Sequence, residues 1–247
     1  MIMPIWLPFT FFLVALVYSI MGFGGGSSYL AFLVLAGLPY QSVPPLALIC
    51  NLIVAGSGLW YFYRGGYLKF KKVLPFIIFS IPSAYLGGKL LIAKELFSLL
   101  LGFSLLVVAL RMFLPDRLFE RSREVSSHRA WIIGLPIGGI LGFFSGLVGI
   151  GGGIFLSPLL LVMRWVNVKE AAAAASLFIV VNSFAGLLGQ FHKGAIDFQF
   201  LFPLGLAVFL GGQIGSRLGA YRLPQFGLQR LLAGLILYVS VKLILGV

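Results

Sequence analysis

Asn51 and Asn182 each lie midway along an apolar stretch, Asn51 with Ser57 beyond it and Asn182 with Ser176 and Ser183 close by. An amide in such surroundings can donate to the oxygen of a solute or bond a neighbouring helix, and both uses stay open. Ahead of each asparagine stands a glycine run. Gly22-Phe23-Gly24-Gly25-Gly26 is followed by Ser27 and Ser28, and Gly149-Ile150-Gly151-Gly152-Gly153 is followed by Ile154 and Pro158. Each glycine costs about 1 kcal/mol relative to alanine inside a helix, so both runs predict a helix break with a new helix starting behind it. The first amides of a helix carry unsatisfied hydrogens and a partial positive charge, which suits an anion. The expected contact set is the backbone of Gly24, Gly25, Gly26, Ser27, Ser28, Gly151, Gly152, Gly153 and Ile154, with Asn51 and Asn182 as side-chain donors. The competing use of the same glycines is a pair of tight turns at a membrane surface.

Other chemistry finds little support. The six acidic residues, Glu95, Asp116, Glu120, Glu124, Glu170 and Asp197, all fall in loops or at the ends of apolar stretches. No buried carboxylate is on offer as a proton relay or cation site, which argues against a cation transporter. The two histidines, His128 and His192, lie in a polar linker and at a span end, and Cys50 is the single cysteine. An intramembrane enzyme would need a nucleophile with its base, or clustered metal ligands; neither an enzyme, a metal nor a cofactor is expected. Nucleotide-binding glycine loops need a strand before them in an aqueous domain, and apolar spans flank both runs here. Gln190 and Gln213 are weaker polar candidates. Lys89 and Arg217 could draw anions towards a vestibule or simply reach for headgroups.

The elements that carry these residues must lie in a bilayer. Apolar residues make up 60% of the chain and charged residues 10%, with a mean hydropathy of +1.09, whereas soluble domains are about a quarter charged. The net charge of +12 is spread through loops and not gathered on one polar face, which fits anionic headgroups and the cytoplasmic preference for Lys and Arg better than nucleic acid. Met1 to Ser19 carries no basic residue before its apolar core and reads as a retained segment rather than a signal peptide.

The chain repeats itself. The second glycine run follows the first by 127 positions, and three further matches keep an offset of 128: Gly66 to Phe70 with Gly194 to Phe198, Pro75 with Pro203, and Gly87-Gly88-Lys89-Leu90 with Gly215-Ser216-Arg217-Leu218. Residues 1–114 and 130–247 therefore form two transmembrane repeats of one domain, joined by a polar linker at 115–129. Each divides into five apolar pieces, roughly Ile5 to Met21, Ser27 to Leu38, Val43 to Tyr63, Val73 to Leu90 and Leu96 to Leu114, then Ala130 to Val148, Ile154 to Met163, Ala171 to Phe191, Phe200 to Leu218 and Phe226 to Leu245. The second piece of each half reaches only about 18 Å as a helix, against a hydrocarbon core of about 30 Å. If the first two pieces form a hairpin with no net crossing, 14 of the 18 basic residues fall on one side. Four crossings per half split them about 11 to 7, so the positive-inside rule favours the odd count. Odd counts invert the second half relative to the first. The linker is then cytoplasmic and both termini lie outside. Gly134, Gly138, Gly142 and Gly146, and likewise Gly211, Gly215 and Gly219, line single helix faces and predict close helix packing.

The duplicated glycine turns, the second reading Phe144-Ser145-Gly146-Leu147-Val148-Gly149-Ile150-Gly151-Gly152-Gly153 with Ser157-Pro158 behind it, resemble those of the TauE/SafE family of membrane transporters. The run Ala171 to Ala175 ending in Ser176-Leu177 and the later Gly215 to Leu218 fit the same pattern. That resemblance covers nearly the whole chain and implies a multi-pass transporter, in several family members an exporter of sulfite or organosulfonates. The first copy departs from the second: Ser19 lacks the following glycine, and Ser27 and Ser28 have apolar counterparts.

The expected protein is thus all-α and polytopic, two inverted repeats each with a glycine-broken hairpin and three further transmembrane helices. It is read as a plasma-membrane secondary transporter of small anions, sulfite or organosulfonates, with the bilayer and its anionic substrate as partners and no nucleic acid. A passive anion channel and a non-transporting partner subunit are the rival readings, and assembly into a homo-oligomer stays open.

Overall fold

The computed structural model describes residues 3–39, 41–91, 93–113, 126–191 and 198–221, together with positions 234, 237, 238, 240, 241, 244 and 245. Those residues are helical or lie in short turns, with no strand among them. The helices are α1 (Trp6–Ile20), α2 (Gly26–Leu35), α3 (Val43–Arg64), α4 (Phe70–Lys89), α5 (Lys94–Phe113), α6 (Ser127–Val148), α7 (Gly153–Val162), α8 (Val168–Gln190) and α9 (Phe198–Tyr221). Most of the linker at 115–129, and most of the last apolar piece, Phe226 to Leu245, lie outside the described residues, as do His192 and Asp197. The end of the linker, Ser127 to Arg129, forms the first turn of α6. Among the described residues, four helices are long and apolar enough to cross a membrane: Val43–Arg64, His128–Val148, Val168–Gln190 and Gln199–Tyr221. The chain is a multi-pass membrane protein.

The two short helices are short because glycine stops them. Gly25 precedes α2 with φ 88°, and Gly152 precedes α7 with φ 72°. Both conformations are left-handed, the region that glycine enters without the clash of a β-carbon. α2 then turns back along α1. The Tyr29 ring stacks on Phe11 at 4.5 Å, and Phe32 meets the edge of Trp6 at 6.4 Å, so the two helices run antiparallel as a hairpin.

The glycine ridges find partners across the sequence midpoint. Gly211, Gly215 and Gly219 of α9 lie on the backbone of Phe12, Leu16 and Ile20 in α1, and a β-carbon at any of them would strike a carbonyl oxygen. Gly134, Gly138, Gly142 and Gly146 of α6 lie in the same way on Pro75, Phe76, Ser80 and Ala84 of α4. These are the two most extensive helix pairings in the molecule, and in each the partners run in the same direction. α3 and α8 pack in opposite directions, since Gly58 faces Ser176 while Gly186 faces Leu48. The pairings map onto one another: α3 packs on α9 as α8 packs on α4, and α2 lies on α3 as α7 lies on α8.

One end of the bundle is basic. Lys72 Nζ donates to the Trp165 carbonyl at 2.7 Å, and Lys169 Nζ donates to Tyr67 Oη at 3.2 Å and to the Ala220 carbonyl at 3.1 Å. These bonds draw the α3–α4 turn, the α7–α8 turn and the end of α9 together. Glu170 at this end closes a capping box with Asn167, satisfying the first amides of α8.

Candidate functional site

Asn51 stands midway along α3 and is fully buried. Its amide fills the space between the two glycine breaks. A β-carbon at Gly24 or Gly26 would collide with it, one at Gly151 would come within 3.0 Å of Nδ2, and Nδ2 donates to the Ile150 carbonyl at 2.9 Å. Both breaks therefore reach one side chain. From the other half, Ser176 Oγ on α8 donates to the Gly22 carbonyl at 2.9 Å. Each half's third helix thus holds the other half's break by a side chain to a backbone carbonyl.

Neither α2 nor α7 has a side-chain cap at its N-terminus, in contrast to the capping box of α8. The amide of Gly153 is taken by the Gly151 carbonyl at 3.0 Å, and that of Phe155 by the Gly152 carbonyl at 3.1 Å. At α2, the geometry of a helix leaves the amides of Gly26, Ser27 and Ser28 without intrahelical acceptors. Buried hydroxyls and carbonyls collect here as well. Ser27 Oγ, Tyr29 Oη, Asn51 Oδ1, Ser145 Oγ and Ser183 Oγ find no protein partner among the described residues. Ser183 Oγ lies 2.9 Å from a β-carbon placed at Gly151, and Ser145 Cβ 3.1 Å from one placed at Gly152. A buried polar atom without a partner costs about 1–3 kcal/mol, and these five belong to the elements that meet at the two breaks.

Of the residues picked out in the sequence, the structure brings together Gly24, Gly26, Asn51 and Gly151. Gly25 and Gly152 form the left-handed corners beside them, and Ser27, Gly153 and Ile154 open the helices behind. Ser28 Oγ donates to Tyr18 Oη at 2.8 Å, bracing α2 on α1. Asn182 stands differently. Gly58 and Gly186, and Pro44 and Ala172, occupy matching places at an offset of 128, which makes Ile179 and not Asn182 the counterpart of Asn51. Asn182 Nδ2 donates at 2.8 Å to the Phe178 carbonyl of its own helix. Gln190 Nε2 donates to the Gly146 carbonyl at 2.7 Å, while Gln190 Oε1 and Asn182 Oδ1 have no partner among the described residues. Tyr18, Tyr29 and Ser145 were not foreseen as site residues. In sequence a tyrosine among apolar residues reads as bulk, and only the pairing of α1 with α2 turns its hydroxyl towards the serines.

Residues 7–243 match the family model described as "Sulfite exporter TauE/SafE". Among curated relatives, a "Probable membrane transporter protein y4hK" of Sinorhizobium fredii is 31% identical, the alignment covering 96% of this chain and 97% of that protein. Two proteins of Bacillus subtilis, "Probable membrane transporter protein YjnA" and "Probable membrane transporter protein YunE", are 28% and 25% identical, with 90% and 80% of this chain aligned to 92% and 82% of theirs. No solved structure matches the chain.

Proposed function

We propose, from the premise that this chain belongs to the sulfite exporter TauE/SafE family, that it is a secondary transporter of small anions, sulfite or organosulfonates. The anion is held between the paired glycine breaks and passed across the membrane by alternating access of two inverted halves. The observation that carries this reading is the contact of Asn51 with both breaks at once. Two helix starts without caps meet there, and helix N-termini attract negative charge by about 0.3–1 kcal/mol each in exposed settings and up to about 2 kcal/mol when partly buried. Asn51 Nδ2 has a second hydrogen to give, and the hydroxyls of Ser27, Ser145 and Ser183 add neutral donors. A carbonyl or hydroxyl cage alone would serve a cation as well. The buried amides at the start of α2, which helix geometry leaves without acceptors, favour an anion, since they present only hydrogens.

Inversion is supported by the antiparallel packing of α3 against α8, which are matching helices of the two repeats, and by the mapped pairings of α1 with α9 and α6 with α4. The end gathered by Lys72 and Lys169 is then the cytoplasmic one, with both termini outside and the protein in the plasma membrane. Asn182 is given a lesser place than Asn51, since its Nδ2 bonds its own helix and not a glycine break. An enzyme is not part of this reading.

Purified protein in liposomes tests it, with labelled sulfite and labelled sulfoacetate as probes. Saturable uptake of either, driven against its own gradient by an imposed ion gradient, is the expected result. Flux that only runs downhill selects a passive channel, and vesicles no leakier than empty ones for any small anion leave the partner-subunit reading.

A further inference from the structure

The two halves differ most where an anion would leave the breaks. On the basic side of the junction, a line of polar side chains runs between α3, α8 and α9. Ser176 Oγ, which bonds Gly22, lies 2.8 Å from a β-carbon placed at Gly58, and Ser216 Oγ lies 3.6 Å from the same point. Ser216 is fully buried and its hydroxyl finds no partner among the described residues. Next to it, Gln213 Nε2 donates to Ser57 Oγ at 2.9 Å and Tyr61 Oη donates to Gln213 Oε1 at 3.1 Å, tying α3 to α9. The Tyr61 ring then meets Tyr221 edge-on at 6.4 Å. Tyr221 lines a cavity of about 540 Å³ together with Ile214, Arg217 and Leu218.

At three of the four matching positions of the other half no polar side chain stands, and the fourth holds Tyr85. Ser57, Tyr61, Gln213 and Ser216 correspond to Ala185, Gly189, Tyr85 and Gly88. There the helices close backbone to backbone: a β-carbon at Gly88 would lie 2.5 Å from the Gly186 carbonyl oxygen and 3.2 Å from the Gly189 α-carbon. Where two glycines close on each other in this way, no side chain stands between the helices to bond a solute. A bridge of three neutral side chains can exchange its bonds for those of a passing oxyanion.

We propose that Tyr61, Gln213 and Ser57 form the cytoplasmic gate of the pathway, opening onto the cavity rimmed by Arg217, and that the Ser216 hydroxyl is the first anion contact behind it. The proposal rests on the reading of the glycine breaks as an anion site. Gln213 is the keystone, because it accepts from Tyr61 and donates to Ser57. Arg217 supplies the positive charge that concentrates anions at the mouth.

The test reads accessibility and needs no knowledge of the natural substrate. Cys50 is the chain's single cysteine and is fully buried, so wild-type protein sets the background. Ser216→Cys is treated in oriented vesicles with 2-sulfonatoethyl methanethiosulfonate, an impermeant sulfonate that reacts with thiols. Labelling from the cytoplasmic face and none from the outer face is expected, and adding Gln213→Leu raises the cytoplasmic rate on the order of fivefold, as loss of about one net hydrogen bond across a closed gate implies. Ser57→Cys is a second reporter with the same expected sidedness, should Ser216→Cys not yield a single species on size exclusion. Labelling from outside, labelling equal from both faces, or no labelling even with Gln213→Leu overturns the gate. Anion flux in liposomes with an unreactive Ser216→Cys sinks the gate alone, whereas a gate that labels as expected in a protein that carries no anion sinks the transport reading.

Discussion

Asn51 Nδ2 donates to the carbonyl of Ile150 at 2.9 Å, a bond across 99 positions of sequence that fastens the second glycine break to the middle of the first half. Its mirror is the bond from Ser176 to Gly22. Each break is thus held by a helix from the other half of the sequence, and any movement of one half against the other changes the distance between the two helix starts, neither of which has a side-chain cap.

Asn51→Ala removes that fastening and leaves the buried Ile150 carbonyl without its partner, a loss of about 1–3 kcal/mol. A lower melting temperature in detergent is expected together with loss of anion uptake. Ser176→Ala is milder, because the Ser176 hydroxyl is shared between Gly22 and the Ala172 carbonyl of its own helix, and a net hydrogen bond contributes about 1 kcal/mol. If Ser176→Ala destabilised the protein more than Asn51→Ala, the ranking of the two bonds would be wrong.

Asn182→Ala separates residue type from position. Its amide bonds Phe178 within α8, so uptake is expected to stay within about fivefold of wild type, the effect of one ordinary hydrogen bond. A loss as deep as that of Asn51→Ala would give Asn182 an equal place.

Gly138 and Gly139 are neighbours on α6 with opposite prospects. A β-carbon at Gly138 runs into the Phe76 carbonyl, whereas one at Gly139 meets nothing nearer than Ser83 Oγ at 3.6 Å. Gly138→Ala is expected to cost about 1–3 kcal/mol or more by overpacking, and Gly139→Ala to be neutral or to stabilise by up to about 1 kcal/mol through helix propensity. Melting curves of the two variants in one detergent decide it.

Lys89 and Arg217 occupy matching positions of the two repeats, and both are exposed. In inverted halves they face opposite sides of the membrane. Lys89→Cys is expected to react with an impermeant thiol reagent only from outside and Arg217→Cys only from the cytoplasm. Reaction from the same side would mean that the halves point the same way.

Much of this was legible in the sequence, because consecutive glycines in an apolar span admit few conformations. α2 and α7 begin at Gly26 and Gly153, one residue ahead of the expected starts at Ser27 and Ile154. The ridges Gly134 to Gly146 and Gly211 to Gly219 announced close packing, yet a ridge does not name its partner. That α6 lies on α4 and α9 on α1 depends on how the halves interlock. Asn51 and Asn182 share a residue type but stand 131 positions apart, against the repeat's 128, and the helix contacts keep that offset of 128 and give the place matching Asn51 to Ile179. The Tyr61–Gln213–Ser57 bridge was beyond reach, since Gln213 on α9 lies 152 and 156 positions from Tyr61 and Ser57 on α3.

The account stands or falls on where the anion sits, and anomalous diffraction from crystals grown with selenite, an isostere of sulfite, measures that directly. The expected result is a selenium peak between the first amides of α2, at Gly26 to Ser28, and the start of α7 at Ile154, beside Asn51. Selenium found only at the surface near Arg217 or Lys89, or absent from the junction of the breaks, would contradict it.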